Sequence, residues 1–325
     1  MSEQPVWNLV ADIGGTNARF SALLGGQLES EFEFHHSVEE YPLFSDLVVK
    51  LRDEIAVATG LSGAPNAVCL AVACPADVEH ITFTNSHWDF TKTQLLEWFD
   101  CQRLVVINDF EAVAHGITEL GEDDCLQIGG ESPQAEKPIG ILGAGTGLGM
   151  AALVSHSDGY HVLDTEGGHA DFAPVGQRQV DVLGCLRETY KRVSLERVLS
   201  GKGIVNIYKA ICTIENAEEL LATPPEVVAA ALNGSNPQAL TALNTFCESM
   251  GAAAGNLALT LGAKGGIYIA GGVVPRFSAF FASSGFRDKF EEKGRFASYL
   301  QPIPVYLVMR SNLGLLGAAK KLQEI

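Results

Sequence analysis

One pattern constrains the fold of this chain more than any other, because it occurs twice. Asn8 to Asp12 is a short apolar run that ends in Asp12-Ile-Gly-Gly-Thr-Asn, and a second run, Ala18 to Leu24, begins at once. Far downstream, Ile139 to Leu142 enters Gly143-Ala-Gly-Thr-Gly-Leu-Gly149, and Met150 to Val154 leads away from it. Each copy reads as a strand, a glycine-rich turn with a threonine, and a strand. Internal self-similarity of this kind predicts a duplicated domain. Two such turns facing one another would hold a polyphosphate from both sides.

The segments between fill in an α/β pattern. Gly25-Gly26 is hairpin chemistry leading to a third strand, Leu28 to Phe34, so the chain is expected to open as an antiparallel meander. Glu39 to Ala58 reads as an amphipathic helix with Phe44, Leu47, Val48, Leu51 and Ile55 on one face. Ala67 to Ala73 reads as a buried strand closed by Cys74-Pro75, followed by a polar loop containing Asn85 and a helix over Thr91 to Phe99. The β-branched run Val105-Val106-Ile107 reads as a fully buried strand that stops at Asn108-Asp109, before helical spacing begins at Glu111.

Later segments are mostly helical. Val180 to Arg192, Leu195 to Leu199, Gly203 to Ile211 and Pro237 to Leu261 are predicted helices. The last has an apolar face of Leu240, Leu243, Cys247, Met250, Ala254, Leu257 and Leu261, and its Ala252, Ala253 and Gly255 would let another backbone come close. Gly266 to Ala270 and Val305 to Val308 read as strands, Gly271-Gly272 as a turn, and Asn312 as the cap of a helix from Leu313 to Gln323.

Composition narrows the partners. A chain of 325 residues suits two domains, and 47% hydrophobic with 19% charged residues describes a globular protein with a sizeable core. A net charge of −17 argues against nucleic acid or an anionic membrane, both of which demand a cationic face. An anionic ligand must then be held by backbone N–H groups, Mg²⁺ or a few basic side chains. The seven cysteines form no C-x-x-C pair and sit among apolar residues, as at Cys69, Cys101 and Cys247. Buried free thiols in a reducing compartment are expected. With no basic leader before Trp7 and no apolar run of roughly 18 residues, the chain reads as cytoplasmic.

Three groups of residues carry chemistry. Asp109 stands at the C-terminal mouth of a strand, where open α/β sheets bind ligands, or else simply caps the helix that follows. At the first glycine turn, Gly14 and Gly15 allow φ > 0 and let backbone N–H groups point at phosphate oxygens. Thr16 adds a hydroxyl, and Asp12 is placed to hold hydrated Mg²⁺; the competing reading is a tight hairpin. The second turn fits neither the dinucleotide fingerprint nor the Walker A spacing. Finally, Glu166, His169 and Glu196 combine carboxylate acceptors with an imidazole donor, a match for the vicinal hydroxyls of a sugar. A metal site, a structural histidine and a first-turn acid at Glu196 are the other readings.

Taken together, Asp12-Ile-Gly-Gly-Thr-Asn-Ala-Arg19, Ile107-Asn-Asp-Phe110, Leu142-Gly-Ala-Gly-Thr-Gly-Leu-Gly149, Glu166-Gly-Gly-His-Ala-Asp-Phe-Ala-Pro174, Ser194-Leu-Glu-Arg-Val-Leu-Ser-Gly201, Ile269-Ala-Gly-Gly-Val-Val-Pro275 and Gly314-Leu-Leu-Gly317 resemble the bacterial ATP-dependent glucokinase family, within the hexokinase/actin/Hsp70 ATPase superfamily. The resemblance implies an α/β fold of two RNase-H-like (actin-like ATPase) domains flanking a cleft, each with a mixed β-sheet covered by helices. The domains are expected at 1–110 plus 311–325 and at 111–310.

It further implies Asp109 as general base on the glucose 6-hydroxyl, with Asn108, Asp109, Glu166, His169 and Glu196 holding the sugar. Asp12, Ile13, Gly14, Gly15, Thr16 and Asn17 would contact phosphate and Mg²⁺ (Asp12 through water). Gly145, Thr146 and Gly147 would lie opposite, and Gly271 and Gly272 against the adenosine of ATP. A homodimer is implied, and the loop near Glu215 to Pro225 is expected to be functionally silent. The alternatives are a kinase for another hexose, a non-enzymatic sugar sensor, and an Hsp70- or actin-like ATPase. The zinc-binding cysteine cluster of the related repressor/open-reading-frame/kinase group has no counterpart after His169.

Overall fold

A computed structural model of the chain describes residues 6–25, 32–83, 86–157 and 159–324. It comprises two compact units, Met1–Leu120 with Asn312–Ile325, and Gly121–Ser311.

In chain order the first unit contains β1 (Trp7–Ile13), β2 (Asn17–Leu24), β3 (Glu33–Ser37), α1 (Phe44–Thr59), β4 (Ala67–Val72), β5 (His80–Thr82), β6 (Asp89–Thr91), α2 (Lys92–Phe99), β7 (Arg103–Asn108) and α3 (Asp109–Ile117). The last helix of the chain, α11 (Leu313–Gln323), joins them. The sheet runs β3-β2-β1-β4-β7. Strands β1, β2 and β3 form the expected antiparallel meander, and β4 and β7 continue it in parallel.

The third strand lies later than expected, at Glu33–Ser37. Its register puts Phe34 opposite Phe20 and the buried His36 opposite Ala18. His36 there meets the Tyr41 hydroxyl at 3.1 Å and Glu54 at 3.0 Å. Gly25 takes the left-handed φ of 62° that a turn requires, whereas Gly26, Leu28 to Glu31 and Asn85 lie outside the described residues. All five apolar residues predicted for the α1 face are buried. β7 is not fully buried: among the described residues it is an edge strand beside β4, and Val105 and Val106 remain partly accessible.

The second unit contains β8 (Cys125–Gln127), β9 (Ile139–Ala144), β10 (Leu148–His156), β11 (Gly159–Thr165), α4 (Gln177–Thr189), α5 (Gly201–Glu215), α6 (Pro224–Leu232), α7 (Pro237–Leu261), β12 (Gly266–Ala270), α8 (Ser278–Ser283), α9 (Phe286–Glu291), α10 (Ala297–Leu300) and β13 (Val305–Val308). Its sheet order is β11-β10-β9-β12-β13-β8. The first five positions repeat the order and strand sense of the first unit, with β9, β12 and β13 parallel and β10 and β11 antiparallel. The duplication seen in the glycine turns is therefore a duplication of topology.

Core packing explains two further departures. On α7, Leu240 is 38% exposed, because the buried face begins at Ala239 and runs through Ala242, Leu243, Phe246, Cys247 and Met250. A Cβ at Gly251 would lie 2.1 Å from the Phe286 carbonyl oxygen, and one at Gly255 2.4 Å from that of Phe290, so α9 packs directly on the α7 backbone. In the first unit, a Cβ at Gly317 would lie 1.6 Å from the Ala112 carbonyl oxygen, and one at Gly116 2.5 Å from that of Leu313. That contact ties α3 to α11 and moves the expected boundary at residue 110 to residue 120. Among the described residues, no helix is long and apolar enough to cross a membrane.

Candidate active site

Asn108, not Asp109, caps α3. Its Oδ1 accepts from the amides of Phe110 at 2.8 Å and Glu111 at 3.4 Å, and its Nδ2 donates to the Cys74 carbonyl at 3.3 Å. Asp109 is instead the first helical residue. Burial, with the Asp109 charge nearby, pushes the Cys74 thiol up to about 11.

Strand register relates this acid to the first glycine turn. Ile13 pairs with Val72, and Val72 with Asn108, so both segments leave the sheet at the same C-terminal end of its parallel strands. They stand two strand spacings apart, about 10 Å. Within the turn, the Gly14 amide donates to the Asn17 carbonyl at 2.9 Å and that of Val38 to Thr16 at 3.0 Å. Asn17 Nδ2 donates to Thr16 Oγ1 at 3.0 Å.

Neither Gly14 nor Gly15 takes the left-handed conformation expected from the sequence; the described turn closes with ordinary φ. Asp12 is partly buried, and burial raises its carboxyl above the ordinary value while Arg19, opposite it on β2, pulls the other way. A Cβ at Gly314 would lie 2.9 Å from Asp12 Cγ, so the first turn of α11 sits flush against the acid. Among the described residues no three metal-ligating side chains cluster. A carboxylate beside a glycine turn suits Mg²⁺, which keeps most of its waters and takes its other ligands from phosphate.

In the second unit the glycine turn is anchored from behind. The Gly145 amide donates to Gly147 and that of Gly201 to Gly145, both at 2.9 Å, and Val273 donates to Ala144 at 3.2 Å. Gly271 has a φ of 88°, and a Cβ there would lie 2.4 Å from the Ala144 carbonyl oxygen. By contrast, Cβ atoms at Gly145 and Gly272 would meet nothing within 4 Å. The outer faces of both turns are thus open to a ligand. A cavity of about 240 Å³ lies beside them, lined by Ile204, Pro224, Val228, Val273 and Arg276 among others. Pro224 and Pro225, expected to be silent, line it.

The polar cluster gathers around Leu148. Glu166 Oε2 and His169 Nε2 stand 3.8 Å apart, both exposed. A Cβ at Gly168 would lie 1.9 Å from the Leu148 carbonyl oxygen, which seats this loop on the start of β10. Glu196 Oε2 accepts from the Leu148 amide at 3.1 Å, so its carboxylate serves a distant strand rather than its own first turn. The backbone of residues 170–172 is joined to residues 193–195, with Leu195 donating to Ala170 at 2.8 Å and Phe172 to Val193 at 3.0 Å. Arg192 clamps the loop, bonding Asp171 Oδ1 at 2.6 Å and the His169 carbonyl oxygen.

The sequence profile of the Glucokinase family matches residues 9–325. A glucokinase of Tolumonas auensis is 43% identical over 318 residues, covering 97% of each chain. This chain belongs to the glucokinase family. A crystal structure of a glucokinase from an Antarctic psychrotroph superposes with a TM-score of 0.86 at 32% identity, covering 98% of this chain and 99% of that one. A ROK family glucokinase from Streptomyces griseus, solved with glucose and AMPPNP, has a TM-score of 0.67 at 20% identity, covering 98% of this chain and all (100%) of that one. It shares the fold.

For a chain of the glucokinase family, the structure groups the candidate residues into two sets. Asp12 to Asn17, Asn108 and Asp109 belong to the first unit; Gly145 to Gly147, Glu166, His169, Glu196, Gly271 and Gly272 belong to the second. Sequence reasoning missed Arg192, the Leu148 amide, the cavity and the contact of Gly314 with Asp12. Gly314 and Leu148 lie within motifs quoted from the sequence, but nothing local marks what either one meets.

Proposed function

We propose that this glucokinase-family chain transfers the γ-phosphoryl group of ATP to the 6-hydroxyl of glucose, as the opening step of glycolysis in the cytoplasm. Asp109 is the general base. A sugar alcohol is a poor nucleophile, and a carboxylate taking its proton as the O–P bond forms contributes on the order of 10²–10⁴-fold. The rest is positioning and charge neutralisation, as phosphoryl transfer requires.

Glu166, His169 and Glu196 hold the sugar hydroxyls. Asn108 adds an N–H, since its oxygen is committed to the helix cap. The turns at Asp12 to Asn17 and Gly145 to Gly147 receive phosphate oxygens on backbone amides. The base of ATP lies by Gly271-Gly272, with the neighbouring apolar cavity as its seat. Mg²⁺, held through water by Asp12, offsets phosphate charge when bound. We take the working form as a homodimer without nucleic-acid or membrane partners, which sedimentation would check.

The observation that carries this reading is the carboxylate of Asp109 at the start of α3, at the same strand end of the sheet as the Asp12 turn. The test is a coupled assay of ADP release with glucose, mannose, fructose and N-acetylglucosamine. Glucose is expected to give the highest kcat/KM. A higher value for another hexose reassigns the substrate, and sugar-independent hydrolysis alone defeats the kinase reading.

A further inference from the structure

Seven residues, 195–201, touch both halves of the second unit's site. At one end the Leu195 amide donates to Ala170, in the loop that carries His169, at 2.8 Å. At the other, the Gly201 amide donates to the carbonyl of Gly145, in the glycine turn, at 2.9 Å. Between them, Glu196 Oε2 accepts from the Leu148 amide at 3.1 Å, one residue beyond Gly147. The fit is close, because a Cβ at Gly147 would lie 2.4 Å from that same oxygen. Ser200 Oγ donates to the Glu196 carbonyl at 2.8 Å and holds the segment's own turn. Leu148 is therefore gripped on both sides, by Gly168 at its carbonyl and by Glu196 at its amide.

We infer that Glu196 is a positioning residue that links the two substrates: one carboxylate oxygen fixes the phosphate-binding turn while the other receives a sugar hydroxyl. This rests on the reading of Glu196 as a sugar ligand and of Gly145 to Gly147 as a phosphate cradle. A carboxylate has acceptor sites on both oxygens, so it can serve both partners at once. A hydroxyl on one oxygen holds the carboxylate in place and so holds the Leu148 amide and the turn before it. The nucleotide then meets a turn already ordered, and its affinity rises without any change of contact. Linkage makes the effect reciprocal, so nucleotide strengthens sugar binding by the same factor.

Calorimetry on the full chain tests this, using AMPPNP with Mg²⁺ in the presence and absence of glucose. In the unaltered protein, glucose is expected to tighten AMPPNP binding by about 5–150-fold, the usual range for coupled sites. In Glu196→Gln, whose amide has a single acceptor oxygen, glucose binds more weakly and its tightening of AMPPNP binding disappears. A variant that loses glucose affinity but keeps the tightening overturns the link and leaves the sugar role standing. One whose glucose affinity is unchanged removes Glu196 from the sugar site, and the link with it. A second measurement needs no variant: the ¹H–¹⁵N resonance of Leu148, with leucine-selective labelling, should move when glucose alone is added. An unmoved resonance overturns the inference while glucose turnover still supports the kinase.

Discussion

Because the Asn108 oxygen serves the amides of Phe110 and Glu111, the carboxylate of Asp109 is placed by its neighbour's cap instead of making one. Asp109→Asn keeps the shape of that turn and removes the base, so kcat should fall at least about 100-fold with glucose affinity nearly intact. Steady-state kinetics paired with glucose titration separate the two, and full turnover would exclude Asp109 as base. Glu166→Gln should weaken glucose binding, since a sugar hydroxyl loses a charged acceptor; equal affinity by calorimetry would remove Glu166 from the site. For Asp12 the sign of a stability effect follows from its raised carboxyl. Burial makes the folded state hold that proton more tightly than the unfolded chain, whose ordinary value is 3.8. Any stability from Asp12 is present below that value and is lost as pH rises through the folded one, so the ionised group is a cost at neutral pH. Asp12→Asn should accordingly raise the Tm of the ligand-free protein at pH 7, lose the advantage in acid, and lose activity. Thermal melts across pH decide it, and a lowered Tm at pH 7 would contradict the burial argument.

At the scale of elements, two kinds of glycine separate packing from binding. Gly317 lies against the Ala112 carbonyl where α11 crosses α3, whereas Gly145 faces open space. Gly317→Val should destabilise the protein by about 1–3 kcal/mol through overpacking, while Gly145→Val leaves Tm alone and weakens nucleotide binding. Denaturant unfolding and AMPPNP titration of both variants would show whether these roles divide as stated. The same contrast shows which parts of the fold were readable in advance. α7, β12 and β13 match their predicted limits because strong periodicity and flanking glycines or prolines mark their ends. β5, β6 and the short helices α8 to α10 were missed because three to six residues carry too little pattern. α6 has no counterpart in the sequence reading, whose loop stops at Pro225, although Thr223 and Glu226 form a reciprocal cap at its start. β7 misled because an apolar run does not reveal whether a strand lies at the sheet edge. Within the candidate site, motif residues were legible, but the bond from Glu196 to Leu148 spans 48 positions and has no local signature.

For the molecule as a whole, all seven cysteines are unpaired, and their environments differ. Burial pushes the thiols of Cys69 and Cys247 up to about 12, and those of Cys74 and Cys125 to about 11. Thiolate is the reactive form, so at pH 8 a disulfide reagent should modify the native protein only slowly at Cys69 and Cys247, and all seven after denaturation. Rapid native labelling of those two, read by peptide mass, would show that the core opens more readily than its packing implies. The order of the chain has a consequence during synthesis as well. Residues 121–311 form one uninterrupted unit, but the first unit is completed by α11, which leaves the ribosome after all of them. Until then the sheet face that receives Leu315, Ala318 and Leu322 is uncovered. The second unit can therefore mature while the first still waits for its final helix, the reverse of the usual order of folding from the N-terminus. A nascent chain stalled before Leu313 would expose that apolar face to chaperones.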